Sequence, residues 1–181
     1  MDRYVALLRG INVGGGNLIR MAELKASFDA LGFQDVATYI QSGNVLFRAR
    51  RTDPRRMAAR IERALSAEFD FRAMVVLRSR RQMQDVVGLA PSGFGERPAR
   101  YRYDVVYLKE PLTAAEALAS VSTRKGVDQA HAGSGVIYFS RLISRASQSH
   151  LPRLVSMPVY QRMTIRNWNT TTKLLRLIEG D

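Results

Sequence analysis

Along the 181-residue chain the spacing of apolar positions changes repeatedly, and each change marks an element. Tyr4, Val5, Ala6, Leu7 and Leu8 form a nearly continuous apolar run, which predicts a buried strand over residues 3–9. Gly14-Gly15-Gly16 interrupts it. Met21, Leu24, Phe28 and Leu31 then recur at three- and four-residue intervals, predicting a helix over 21–31 with Gly32 at its C-terminal cap. A strand is expected at 35–40, and Gln41-Ser42-Gly43-Asn44 reads as a tight turn into a further strand, Val45-Leu46-Phe47. Thr52-Asp53-Pro54 opens a helix to about residue 68, whose inner face is Met57, Ile61, Leu65 and Phe69. Arg55, Arg56, Arg60 and Arg63 fall largely on its outer side, where a solvated face is the ordinary meaning. A strand at 73–77 completes the order strand, helix, strand, strand, helix, strand, the ferredoxin-like βαββαβ pattern.

The pattern then repeats. A connecting helix is expected at 80–90, and Pro91-Ser92-Gly93-Phe94-Gly95-Glu96-Arg97-Pro98 reads as a linker. Beyond it lie a strand at 102–108, a short helix at 113–120, and strands at 127–131 and 135–140 around Gly133 and Gly135. A helix at 146–155 carries Pro152, which disturbs its middle; a strand at 161–166 and a helix at 169–179 follow. The expectation is an α+β protein of two ferredoxin-like subdomains with antiparallel sheets, residues 1–78 and 100–181, joined by the 79–99 segment.

Composition narrows the class. An apolar fraction of 46% with six prolines fits a globular chain, and at this length roughly 70% of the unfolded surface can be buried without staples. The absence of cysteine excludes disulfides, Cys-ligated zinc and thiol nucleophiles. No apolar run approaches a membrane span, and Met1-Asp2-Arg3-Tyr4-Val5 lacks the pattern of a secretory signal, so a cytoplasmic protein is expected. The net charge of +12 favours phosphate-bearing partners, although 24 of the 28 basic residues are arginine, a skew that a GC-rich genome also produces.

The glycine-rich stretch is the first candidate for chemistry. It lacks the lysine of a nucleotide P-loop, since Gly14–Gly16 lead to Asn17-Leu18. It also lacks the G-x-G-x-x-G spacing of a dinucleotide fold, despite Asp35 downstream. Glycines that supply positive φ to a tight turn are its simplest explanation. Topology adds more. In a ferredoxin-like sheet the end of the first strand lies beside the start of the third, so Arg9, Gly10, Asn12, Gly14, Gly15, Gly16 and Asn17 share an edge with Gln41, Ser42 and Asn44. Amides, an arginine and accessible backbone suit a phosphate, a carboxylate or a nucleobase edge, and without histidine or carboxylate they suit proton transfer poorly.

Arg166-Asn167-Trp168-Asn169 forms a second candidate patch. Either an asparagine caps the last helix with Trp168 packed inside, or Trp168 stacks on a base while Arg166 holds a phosphate. His131 and His150 have no second metal ligand at usual spacing, no serine elbow is present, and neither a metal nor a cofactor is implied.

Arg9-Gly10-Ile11-Asn12-Val13-Gly14-Gly15, Gln41-Ser42-Gly43-Asn44-Val45 and Arg166-Asn167-Trp168-Asn169-Thr170 together resemble a family of uncharacterised bacterial proteins, domain of unknown function 1697. The resemblance implies the double ferredoxin-like architecture and brings no function with it. Where relatives carry a lysine after the paired glycines this chain has Gly16, so an anion held there would rely on backbone and Arg20. The sequence therefore points to a binding protein for a nucleic acid or a phosphorylated small molecule, acting through the 9–17 loop and the 41–44 turn as a monomer or homodimer. The alternatives are an enzyme acting on a small anion in the same cleft, or a dimeric interaction module.

Overall fold

The computed structural model describes residues 1–12 and 15–180. Its first sheet is built around β1 (Asp2–Leu8), flanked by β3 (Asn44–Ala49) and β4 (Val75–Ser79), with β2 (Gln34–Tyr39) outside β3. All the pairings are antiparallel, and the register sets Leu7 against Asn44. The order β2-β3-β1-β4 is that of a ferredoxin-like sheet. Helices α1 (Met21–Ala30) and α2 (Pro54–Glu68) connect its strands. Tyr4, Ala6, Leu8, Phe47 and Val75 join Leu24, Phe28, Ile61 and Leu65 in one core. Val5, Leu7 and Val76, on the opposite face, are buried too, which is why β1 lacks a polar alternation.

Local chemistry starts and stops these helices. Asp53 caps α2, accepting from the Arg55 N–H at 2.8 Å, with Pro54 in the first turn. Gly32 ends α1 at φ 76°, donating to the Asp29 carbonyl.

The second sheet repeats the arrangement. β5 (Tyr101–Leu108) is central, β7 (Val136–Leu142) and β8 (Met163–Asn167) flank it, and β6 (Asp128–Ala132) lies outside β7. α3 (Arg80–Gly88) precedes this sheet and α4 (Ala114–Ala119) joins β5 to β6. Where a helix over 146–155 was expected, 3₁₀ turns at Ile143–Gln148 and Pro158–Arg162 bracket a short helix, α5 (Leu151–Val155). Pro152 is accommodated because it falls in the first turn of α5, where no N–H is needed. α6 (Trp168–Glu179) follows β8 directly. The fold is thus two antiparallel ferredoxin-like sheets in an α+β chain.

Two compact units result, Met1–Met83 with Leu174–Asp181, and Gln84–Lys173. The last turns of α6 belong to the first unit, where Arg3 Nη1 donates to the Ile178 carbonyl at 3.0 Å. The units therefore divide inside α3 and α6.

Candidate functional site

The antiparallel pairing of β1 and β3 carries the end of one strand past the start of the other, and the Leu8 N–H donates to the Gly43 carbonyl at 2.8 Å. Asn12 then joins the two loops. Its Nδ2 donates to the Gln41 carbonyl at 2.8 Å and the Ile19 carbonyl at 3.0 Å, while its Oδ1 accepts from the Ile19 N–H at 2.8 Å. Asn17 Nδ2 donates to the Gly10 carbonyl, and Asn44 Nδ2 donates to the Tyr39 carbonyl and to Ser42 Oγ.

Three of the amides singled out in the sequence thus hold the edge in shape. Asn44 is fully buried, whereas Arg9, Asn12 and Ser42 are half-buried. Gly10, Gly15, Gly16, Asn17 and Gln41 are exposed, and Gly14 lies outside the described residues. Gly10, Asn12, Gly15 and Asn17 all have positive φ, and so does the β-branched Ile40 at 50°, a conformation that side chains of its kind rarely adopt. Ile40 and Leu18 are 48% and 75% exposed, which gives the edge an apolar margin. At the neighbouring start of α1 the Glu23 carboxylate accepts from the Arg20 N–H at 3.3 Å, so that helix end already has an acidic partner.

The Arg166–Asn169 patch has a different character. Arg166 is 7% exposed, and its Nη1 donates to Thr164 Oγ1 at 2.9 Å and to the Ile165 carbonyl at 2.8 Å. Burial pulls its pKa down to about 10, which leaves it charged at neutral pH. Asn167 Oδ1 accepts from the Thr170 N–H at 2.7 Å and caps α6. Trp168 is half-buried, with Phe94 edge-on at 5.1 Å. With Asn167, Asn169, Asp104 and Arg141 it lines a cavity of about 340 Å³. Asp104 is a half-buried carboxylate whose pKa is raised by desolvation, and Arg141, at 3.7 Å, offsets the effect only in part.

Spacing in the sequence hid one pair. Ser122 Oγ and His150 Nδ1 lie 2.7 Å apart although 28 residues separate them, and the backbone N–H of His150 donates to the buried Asp128. No local motif marks residues so far apart. Among the described residues there is no group of three His, Asp or Glu side chains able to hold a metal, and no helix is long and apolar enough to cross a membrane.

The architecture is that of an α+β protein with two antiparallel ferredoxin-like sheets. The family model described as "Protein of unknown function (DUF1697)" matches residues 1–138, and the chain belongs to that family. It is similar to a solved structure, that of the conserved bacterial protein SP0830 from Streptococcus pneumoniae. The two share 27% sequence identity over 98% of each chain, with a TM-score of 0.86. No curated protein matches the chain.

Proposed function

We propose that the protein is a cytoplasmic binding protein for a phosphate-bearing ligand, in the first place a nucleotide, held at the edge shared by residues 9–17 and 41–44. One observation carries the reading. Asn12 clasps the two loops through Ile19 and Gln41, so that exposed left-handed backbone at Gly10, Gly15 and Asn17 stands beside the turn at Gln41. Backbone of this kind lets a ligand approach closely and offers N–H groups to anionic oxygens. Arg20, exposed at the start of α1, supplies a cation, and Ile40 and Leu18 supply an apolar margin for a base or sugar.

The test is a thermal-shift panel of inorganic phosphate, AMP, ADP, ATP and GTP. At least one nucleotide is expected to raise the melting temperature of the wild type, and Arg9→Ala and Arg20→Ala are expected to remove the shift while leaving the fold intact. A panel without any shift, or a shift that survives both substitutions, would overturn the reading.

A further inference from the structure

The charges of α2 are sorted by face. Its two carboxylates are turned to other elements of the first unit: Glu62 Oε1 accepts from the Val75 N–H at 2.8 Å, and Glu68 Oε2 accepts from Ser27 Oγ at 2.5 Å. On another side Arg56, Arg60 and Arg63 line a cavity of about 860 Å³ together with Arg50, which follows β3. Among the described residues lining it there is no aspartate or glutamate. Of the acidic residues that adjoin the lining in sequence, Asp35 pairs with Arg48 at 2.9 Å, Asp53 caps α2 and Glu62 is held by the Val75 N–H, while Asp2, next to Met1, is exposed. A merely solvated helix face interleaves both signs at i, i+4 spacing, whereas this one gathers like charges around a concavity.

The cavity is built to hold those charges. Arg60 Nη2 donates to the Leu31 carbonyl at 2.6 Å, and its guanidinium lies 5.6 Å from the centre of the Phe33 ring. One arginine is therefore fixed before any ligand arrives. Phe33, Met57 and Ala49 form a buried apolar floor, which keeps the local dielectric low and strengthens the field above it. Gln34 and Thr52 add neutral hydrogen-bonding groups to the wall.

We infer that this groove binds the phosphodiester backbone of a nucleic-acid strand. Guanidinium forks match phosphate oxygens in pairs. From Arg56 to Arg63 the helix advances about 10 Å, so the cations address a chain of phosphates better than a single one. The floor aromatic is buried and offers no stacking face, so recognition runs through the backbone and is independent of base sequence. The inference concerns a different surface from the nucleotide edge and stands without it.

The experiment is fluorescence anisotropy with a labelled oligothymidine across a salt series. It compares the wild type with Arg56→Glu/Arg63→Glu, and with Arg97→Glu/Arg153→Glu, which makes the same change of net charge at exposed sites of the second unit. Arg60, with its structural hydrogen bond, is left in place. The groove variant is expected to bind at least about tenfold more weakly, and its log–log salt slope to shrink by about 1.4, the share of two lost phosphate contacts on a single strand. The control is expected to stay within about threefold of the wild type. Failure of the wild type to bind at low salt would overturn the inference, as would equal weakening of both variants. If the groove variant melts early, Arg56→Gln/Arg63→Gln replaces it, and undiminished binding by that folded variant overturns the inference as well. Arg20→Ala is expected to leave oligothymidine binding unchanged, so failure at one surface is read separately from failure at the other.

Discussion

Asn12 and Gln41, 29 residues apart, are joined by a hydrogen bond of 2.8 Å from the side-chain amide of the first to the backbone carbonyl of the second. The bond fastens the loop after β1 to the turn before β3; the same amide nitrogen also donates to the Ile19 carbonyl, and the amide oxygen accepts from the Ile19 N–H. Asn12→Ala removes three hydrogen bonds at about 1 kcal/mol each, so a loss of about 2–3 kcal/mol is expected in denaturant unfolding. Because Asn12 has φ 54°, Asn12→Gly separates lost bonds from backbone strain. A glycine variant as stable as the wild type would show that the clasp contributes nothing.

Gly43 and Gly32 have similar backbone angles, φ 79° and 76°, in different surroundings. A Cβ at Gly43 would stand 2.7 Å from Ile11 Cδ1, whereas at Gly32 it would meet open space. Gly32→Ala is expected to cost about 1 kcal/mol from strain alone. Gly43→Ala should cost about 3 kcal/mol, because the buried Ile11 must shift as well. Paired thermal or denaturant melts check this, and equal costs would show that close packing under the turn is unimportant.

Gly95 lies against the indole of Trp168, where an added Cβ would overlap Nε1 and Cδ1. Trp168 is the chain's single tryptophan, so tryptophan fluorescence reports the surroundings of this one indole. Gly95→Ala is expected to push the indole off Phe94 towards water, with a red-shifted emission maximum and easier quenching by iodide. An unchanged spectrum would mean that the contact is not made in solution.

Asp104 gives a pH dependence with a defined sign. Its burial raises the carboxyl above its ordinary value of 3.8, and neither Arg141 nor Arg102 fully restores it. The neutral form is thus the one the fold prefers. That preference stabilises fully below about pH 4 and is lost as pH rises through the raised value. Asp104→Asn is therefore expected to raise the melting temperature at neutral pH and to bring little gain below about pH 4. A variant that melts earlier than the wild type at neutral pH would show that attraction to Arg141 outweighs desolvation.

Much of the fold could be read in advance because its signals are local. The continuous run Tyr4–Leu8, the helical spacing of Met57, Ile61 and Leu65, and the Asp53-Pro54 start each act within a few residues. Strung in order, they leave few topologies, and the sheet orders β2-β3-β1-β4 and β6-β7-β5-β8 followed from the repeated βαββαβ succession. That the glycine loop and the 41–44 turn meet was legible for the same reason. That their asparagines mainly bond backbone groups of the loop and the turn was not, because a side-chain amide has several partners within reach.

Apart from the segment 143–162, the sequence by itself determined the elements, their order and the side of α2 that faces the core, since apolar periodicity encodes burial directly. Only the tertiary structure decided what the remaining polar side chains do. Arg166, read as a cation for a ligand or as part of a cap segment, lies buried against its own strand. Arg56, Arg60 and Arg63, on a face expected to be solvated, line a concavity that has no acid among its described residues. Ser122 and His150 meet across 28 residues. A charged side chain acquires its role from neighbours that are distant in sequence, and packing alone brings them together.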